Sequence, residues 1–321
     1  MKRLLDRVGL SIVVATYNRS KLIKNLITYF DKEISFRCAL DIELLIINNN
    51  STDDTNEVIE KAKLAERDYE VNCVTEKNQG LSFARNKGIS IAKHDWMLFL
   101  DDDALPSPDF FNNLLPHLKK NRSVSAFCCK VITHYRYIPS WFSANGPYQL
   151  PMMGTYDLGN RSRFLNLNDP PPIGSAIILR KNIFQKYGYF DIRFGYNRRS
   201  KILIPGEDTR LTSTILKEGE PIYYVHNCLI NHHPPSNKLD IRTLSKIYLG
   251  QGFLFGVEDR EKCDCNVGLR ISGIPAWYYK ELASTLARSL YCGLSGNRTG
   301  FYYYYLYFLK IIGRYYGYIR A

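Results

Sequence analysis

The chain has no apolar run approaching the roughly 20 residues that a membrane-spanning helix requires, and no acidic residue after Glu281. The first absence argues against an integral membrane protein. The second leaves a cationic C-terminal stretch carrying Arg288, Arg298, Lys310, Arg314 and Arg320. Eight cysteines are scattered as Cys38, Cys73, Cys128, Cys129, Cys228, Cys263, Cys265 and Cys292, too sparse for a disulfide-stapled scaffold. They read as reduced thiols. Cys263 and Cys265 bracket Asp264, but no second close Cys or His pair stands at structural-zinc spacing. A secretory leader is not expected, because Asp6 and Arg7 break the early apolar residues and no small-residue cleavage site follows. Cytoplasmic residence is the expectation, with peripheral attachment to the inner face of the membrane open.

What is present suits a globular enzyme. With 321 residues and 45% hydrophobic content, the chain can build one large domain or two smaller ones. Its net charge of +12 favours acidic partners: nucleic acid, anionic lipid or a phosphate-bearing substrate. No nucleic-acid-binding motif accompanies the charge, so nucleic acid is not an expected partner.

Apolar runs at Leu10–Ala15, Ile42–Ile47, Val71–Thr75 and Trp96–Leu100 alternate with helical periodicity near Arg19–Phe30, Glu57–Ala65 and Gly80–Ala92. Such alternation predicts an α/β fold with a mostly parallel, Rossmann-like sheet flanked by helices on both faces. Ligands bind such sheets at the carboxyl ends of the strands. A helix to about Lys119 and a strand within Val124–Ile132 continue the pattern. Pro139–Pro172 has no sustained period and reads as a long loop or small subdomain. Order resumes at Ile173–Leu179, followed by a helix near Asn182–Tyr187, another over Glu207–Lys217, and a strand over Pro221–Val225. From Leu239 the pattern is helical and aromatic.

Four clusters fall at the expected ligand edge. Thr16-Tyr17-Asn18-Arg19 ends the first strand, where side chains and backbone N–H groups can meet a nucleotide, or where an asparagine turn simply caps a helix. Asn48-Asn49-Asn50 ends the second; three amides can read a base or ribose, and also suit a turn. Asn78-Gln79-Gly80 opens a helix carrying Arg85 about one turn on, an arrangement that favours phosphate. Asp101-Asp102-Asp103 weighs most. Three carboxylates converging after a buried strand repel one another unless a cation such as Mg²⁺ or Mn²⁺ lies among them, bridging substrate phosphates.

Taken in order, Thr16-Tyr-Asn-Arg, Asn49-Asn-Ser-Thr-Asp, Asn78-Gln-Gly with Ala84-Arg-Asn, and Phe99-Leu-Asp-Asp-Asp resemble the family 2 glycosyltransferases. The resemblance continues at Gly174-Ser175-Ala, Gly188-Tyr-Phe-Asp, Gly206-Glu207-Asp208 and Asn231-His-His-Pro-Pro. It covers most of Leu10–Pro235 and implies a GT-A fold, a nucleotide-sugar donor, and inversion at the anomeric carbon. It further implies that Thr16, Tyr17, Asn18, Arg19, Asn49, Gly80, Arg85, Asp101 and Asp102 serve the nucleotide-sugar. Asp101, Asp103 and His232 would serve the metal, Mn²⁺ or Mg²⁺, and Gly174 and Ser175 the acceptor. Family members usually carry an acidic residue at the place of Asn48 or Asn49, so the identity of the base is left open.

The reaction needs a base near the attacking hydroxyl. Asp208 is the candidate, with Glu207 orienting the acceptor. Residues 1–238 are the expected glycosyltransferase domain, divided near 132 into nucleotide-sugar and acceptor halves, and 239–321 a helical extension. The aromatic tail Phe301–Ile319 suits either a membrane interface or a packed helix. A glycan or lipid-linked acceptor and an anionic membrane surface are the expected partners. A nucleotidyltransferase would also combine such a sheet with carboxylates, but Thr16–Arg19 lacks its Gly-rich phosphate loop; a non-catalytic sugar-nucleotide-binding protein is the remaining alternative.

Overall fold

The computed structural model describes residues 8–34, 40–120, 123–150, 154–197, 202–261, 269–271 and 274–320. In chain order the elements begin β1 (Val8–Thr16), α1 (Ser20–Glu33), β2 (Leu40–Asn48), α2 (Thr55–Lys63), β3 (Glu70–Thr75), α3 (Leu81–Ile91) and β4 (Trp96–Asp101). Next come β5 (Ala104–Pro106), α4 (Phe110–Lys120), β6 (Ala126–Thr133), β7 (Arg163–Phe164), β8 (Ile177–Arg180), α5 (Lys181–Tyr187), β9 (Gly195–Asn197), β10 (Ile202–Ile204), α6 (Glu207–Lys217) and β11 (Ile222–His232). The chain closes with α7 (Ile241–Glu261), β12 (Arg270–Ile271), β13 (Ile274–Pro275), α8 (Ala276–Leu294) and α9 (Arg298–Arg320).

Among the described residues the main sheet runs β3-β2-β1-β4-β8-β6-β11-β5, with β7 paired to β11. β3, β2, β1 and β4 are parallel, as the alternating pattern predicts. The remainder corrects the expectation of a mostly parallel sheet. β8 is antiparallel to both β4 and β6, and β5 and β7 are antiparallel to β11. Periodicity reports burial, not direction, and β8 is reached through the aperiodic loop. β2 buries Ile42 and every residue from Leu44 to Asn48, the signature of a strand covered on both faces.

Strand register and one close approach set the ligand edge. Register aligns Thr16 with Asn48, Asn48 with Thr75, and Ala15 with Asp101, so the strand ends arrive together. Helix α3 buries Ser82, Ala84, Arg85, Gly88 and Ile89 against the sheet. A Cβ on Gly88 would lie 2.3 Å from Val13 Cγ1, so only glycine allows this approach, which carries Arg85 to the end of β4.

The chain groups into two compact units: Met1–His134, Met153–Ile192 and Glu207–Pro234 form one, and Tyr135–Met152, Arg193–Gly206 and Pro235–Ala321 the other. Two parts of the middle region therefore cluster with the C-terminal helices rather than with the sheet. In the second unit α7 and α9 touch backbone to backbone. A Cβ on Gly252 or Gly256 would meet the carbonyls of Lys310 or Arg314 at 1.9 Å, and one on Gly313 or Gly317 would meet Leu249 or Phe253 at 2.0 Å. Arg314 also pairs with Asp259 at 2.6 Å, and Tyr278 donates to Asp259 at 2.7 Å. Helix α9 is therefore packed along most of its length. Gly256→Val is expected to cost about 3 kcal/mol through overpacking; a lowered urea midpoint measures it, and an unchanged midpoint refutes the packing.

Candidate active site

The site forms where β1, β2 and β4 end and where β11 returns beside β5. The sequence pattern suggested a strand stopping at Val225, but β11 continues through a register shift between Val225 and Leu229 to His232. Pairing of β11 with β5 sets His232 opposite Ala104, and the His233 N–H donates to the Asp103 carbonyl at 2.8 Å. His232 is thus held by sheet register beside Asp103, its Nε2 3.3 Å from Asp103 Oδ1. One ligand atom each from Asp101, Asp103 and His232 lies within 4.8 Å of the others.

Asp102 points elsewhere. Its carboxylate accepts from Thr16 Oγ1 at 2.7 Å and from Arg19 Nη1 at 2.8 Å. Arg19 Nη1 also donates to Asp103 at 3.0 Å. Burial pushes the Asp102 carboxyl up to about 6 against the pull of Arg19. Burial opposes ionisation of Asp103 too, but the His232 hydrogen bond and the charges of His232 and Arg19 outweigh it, and its pKa falls. Neighbouring carboxylates thus diverge: Asp102 braces the end of β1, and Asp103 stays ionised beside Asp101 and His232. Two carboxylates and an imidazole suit a hard or borderline divalent cation such as Mn²⁺ or Mg²⁺.

The loops around this group are tied by side chains expected at the donor. Asn18 sits at φ 53°, its N–H donating to Ser51 Oγ at 2.9 Å and its Oδ1 accepting from the Thr52 N–H at 2.7 Å. Asn49 donates to the Asn78 carbonyl at 2.7 Å and accepts from the Gly80 N–H at 2.7 Å. Its amide holds the β3–α3 loop. Tyr17, the residue after β1, is 44% exposed.

Arg85 is 3% exposed, its guanidinium committed within the protein. Nη1 donates to Glu207 Oε1 at 2.6 Å, and Nη2 to Asp101 Oδ1 at 3.0 Å and the Gly174 carbonyl at 3.5 Å. Burial works against the charge on Arg85, and Glu207, Asp101 and Asp208 together restore it. Burial and Asp208 push the Glu207 carboxyl up to about 7 despite Arg85. Buried Glu207 therefore faces Arg85, whereas half-buried Asp208 accepts from the Gly174 and Thr209 N–H groups. A Cβ on Gly174 would lie 2.7 Å from Arg85 and 2.8 Å from Asp208, so this approach also requires glycine. Ser175 is buried in the following turn.

Removing Arg85 leaves Glu207 and Asp101 uncompensated, so Arg85→Met should lose about 3–5 kcal/mol of stability. A buried acid with a raised pKa binds a proton more readily folded than unfolded, so it weakens the fold as pH rises from the ordinary carboxylate range towards 7. The deficit of Arg85→Met relative to the unmodified chain should therefore shrink as pH is lowered from 8 to 5.5. Denaturant titrations at both pH values check this; a pH-independent deficit contradicts it.

Two supports of His232 escaped the sequence reading. Thr133, opposite His232 in the β6–β11 register, has Oγ1 3.3 Å from His232 Nδ1. Gly154, at φ 85°, leaves no room for a Cβ, which would lie 2.5 Å from the same nitrogen. Together they orient Nε2 toward Asp103, the outer support a metal-binding imidazole needs. Gly154→Ala should weaken Mn²⁺ binding about 10–100-fold; an unchanged affinity in a Mn²⁺ titration followed by electron spin resonance refutes it.

A family description, Glycosyl transferase family 2, matches residues 11–188, more than half of the chain. The chain belongs to glycosyltransferase family 2. Glycosyltransferase GlyA of Streptococcus pneumoniae is 21% identical over 301 residues, 90% of this chain and 39% of GlyA. The chain thus spans well under half the length of this curated relative. Among solved structures, mannosyltransferase PcManGT from Pyrobaculum calidifontis, in complex with GDP-Man and Mn²⁺, superposes with a TM-score of 0.59 at 16% identity, covering 98% of this chain and 88% of that one. S. aureus TarS 1-349, in complex with UDP-GlcNAc, gives 0.54 at 13% identity over 92% and 90% of the two chains. These likenesses show the GT-A fold. They agree with the mixed sheet of this family 2 member and with the resemblance read from its motifs.

Proposed function

We propose that this family 2 protein is a metal-dependent inverting glycosyltransferase that moves a sugar from a nucleotide-sugar, in the first instance a UDP-sugar, to a glycan or lipid-linked acceptor. The observation that carries the reading is the convergence of Asp101, Asp103 and His232 at the sheet's ligand edge, linked through Arg85 and Gly174 to Asp208. The solved relatives' complexes with GDP-Man and Mn²⁺ and with UDP-GlcNAc support it. On this reading Asp101, Asp103 and His232 hold Mn²⁺ or Mg²⁺. Such an ion, when bound, offsets the negative charge of the donor diphosphate.

The protein's own groups do the rest. Asp208, oriented by the Gly174 and Thr209 N–H groups, takes the proton of the attacking acceptor hydroxyl. The acceptor oxygen bonds to the anomeric carbon as the bond from that carbon to the diphosphate oxygen breaks on the opposite face, inverting the centre. No covalent enzyme intermediate is needed. Arg85 fixes Asp101 relative to Glu207 and so sets the donor-side carboxylate against the acceptor-side helix α6. On this reading exposed Tyr17 serves the nucleotide, while Thr16, Asn18, Arg19, Asn49, Gly80 and Asp102 shape the donor loops. Gly174, which bonds Asp208, and the buried Ser175 after it support the acceptor side on the same reading.

Synthesis of a surface polysaccharide or glycoconjugate is the corresponding role. It places the protein in the cytoplasm, against the inner face of the membrane where a lipid-linked acceptor would lie. No helix among the described residues is long and apolar enough to cross a membrane. Incubation with UDP-, GDP-, CDP- and dTDP-sugars and Mn²⁺ tests the activity. Release of one nucleoside diphosphate, abolished by a chelator and restored by Mn²⁺, is expected; no release from any donor, with or without sugar and lipid-linked acceptors, contradicts the reading.

A further inference from the structure

The start of the aperiodic middle segment and the tyrosine-rich tail, neither used by the catalytic reading, come together in the second compact unit. Trp141 tilts onto Tyr302 with ring centroids 4.6 Å apart, and the Tyr148 ring lies 5.8 and 6.0 Å from those of Tyr303 and Tyr304. Within the segment the Phe142 N–H donates to the Pro139 carbonyl at 2.9 Å, and the Leu150 N–H to the Ser143 carbonyl at 2.8 Å. Rings therefore fix the segment on α9, and its own backbone turns it.

Between this segment and the start of α7 lies a cleft of about 330 Å³, lined by Tyr137, Pro139, Trp141, Asp240, Ile241 and Arg242. That volume is at the low end of small-molecule sites, roughly 300–1,000 Å³. Pro139 is buried, and Trp141 and Ile241 are half-buried. Tyr137 is 58% exposed, and Asp240 and Arg242 are exposed. Among the described residues, none hydrogen-bonds or ion-pairs with the Tyr137 phenol, the Asp240 carboxylate or the Arg242 guanidinium. The Asp240 carbonyl accepts from the Leu244 N–H at 2.9 Å and its N–H donates to the Asn237 carbonyl at 3.1 Å, so α7 begins without using the carboxylate. Both walls are held by the protein's own contacts, while the acid, the base and the phenol are uncommitted.

The lining selects a sugar ring. Aromatic faces pack against the C–H face of a pyranose, whose hydroxyls both donate and accept at its edge. A carboxylate that accepts and a guanidinium that donates give such hydroxyls charge-assisted bonds. The two charges cancel, so the cleft offers no net attraction to phosphate, and an acyl chain would strip water from both charges without pairing them. We propose that this cleft is a glycan subsite for a neutral sugar residue of the acceptor other than the one carrying the attacking hydroxyl. Tyr137 and Trp141 are its stacking rings, and Asp240 and Arg242 the partners of its hydroxyls. This rests on the glycosyltransferase reading above; the six lining residues include no member of the Asp101, Asp103 and His232 group and none that bonds Asp208. The tyrosines of α9 then serve as backing for the platform.

Binding of the full chain to immobilised neutral and acidic oligosaccharides, RNA and anionic vesicles, without nucleotide or metal, tests the proposal. At least one neutral glycan should bind, and its binding should persist at about 0.5 M salt, where attraction between exposed charges is screened. Asp240→Ser, which keeps a helix-capping residue type, and Arg242→Gln alter exposed side chains and should keep the thermal midpoint. Each should weaken glycan binding at least about tenfold through loss of a charge-assisted hydrogen bond. Trp141→Ala should weaken it as well; because Trp141 also packs on Tyr302, its thermal midpoint is measured beside it. No neutral glycan bound, or binding undiminished in both charge variants, overturns the proposal. Binding confined to acidic glycans, RNA or vesicles, and lost at high salt, assigns the cleft to an anionic partner and overturns it too. Nucleotide release from donor sugars by the unmodified chain, measured without acceptor, reads the catalytic proposal separately. Release without glycan binding refutes the subsite alone, and glycan binding without release refutes the catalytic reading alone.

Discussion

Asp103→Ala is expected to lower the rate of sugar transfer by at least about 10³-fold, because it removes one of the carboxylates that would hold the ion against the donor diphosphate. The size of the effect follows from the site's construction. Asp103 is 8% exposed, bonded to His232 and Arg19, and is the member of the acidic triplet whose ionised form its neighbours stabilise. Asp103→Asn keeps the shape and removes the charge, so it separates a lost ligand from a disturbed fold. Both variants should bind Mn²⁺ at least tenfold more weakly in a spin-resonance titration. Wild-type turnover in either, at saturating donor and Mn²⁺, refutes the assignment. Asp102 provides the contrast. Its carboxylate is engaged by Thr16 and Arg19, so Asp102→Asn should lower stability more than it lowers Mn²⁺ affinity.

Asp208→Asn should lower kcat about 10²–10⁴-fold, the contribution of a positioned general base. Binding of the nucleotide and Mn²⁺ should stay within threefold of wild type, because Asp208 is not among the three grouped donor atoms. The Gly174 and Thr209 N–H groups bond different oxygens of the carboxylate, so the amide keeps one of the two bonds, and a denaturant titration of the variant separates lost chemistry from lost stability. Glu207→Gln is expected to behave differently. Glu207 neutralises buried Arg85, and its loss should appear chiefly as lowered stability. Single-turnover transfer and nucleotide titrations distinguish the two. If Asp208→Asn transfers sugar at the wild-type rate, the base lies elsewhere.

The parallel half of the sheet was legible because its strands are continuous apolar runs separated by amphipathic helices, and each run sets its own element. In the other half β6 and the start of β11 were legible as strands, but the antiparallel pairings were not. β5 has three residues, too few to show a period, and β8 enters after an aperiodic loop that hides its direction. β11 appeared to end at Val225 because the register shift after that residue interrupts the alternation, concealing the strand that delivers His232. The acidic triplet stood out as a cluster of like charges. Its internal division did not, since the partners of Asp102 lie 86 and 83 residues away. Arg85 and Asn49 illustrate the same limit. Residue type and strand position place them at the ligand edge, but only the folded chain shows Arg85 turned to Glu207 and Asn49 turned to the backbone of Asn78 and Gly80.

Calorimetric titration of the purified chain with UDP, GDP, CDP and dTDP, each with and without Mn²⁺, tests the central claim most directly. The account predicts that one nucleotide binds tightly with Mn²⁺ and at least tenfold more weakly without it, and that Asp103→Ala removes the difference. Binding that is indifferent to Mn²⁺, or no binding of any nucleotide, would contradict a metal-assisted donor site at Asp101, Asp103 and His232.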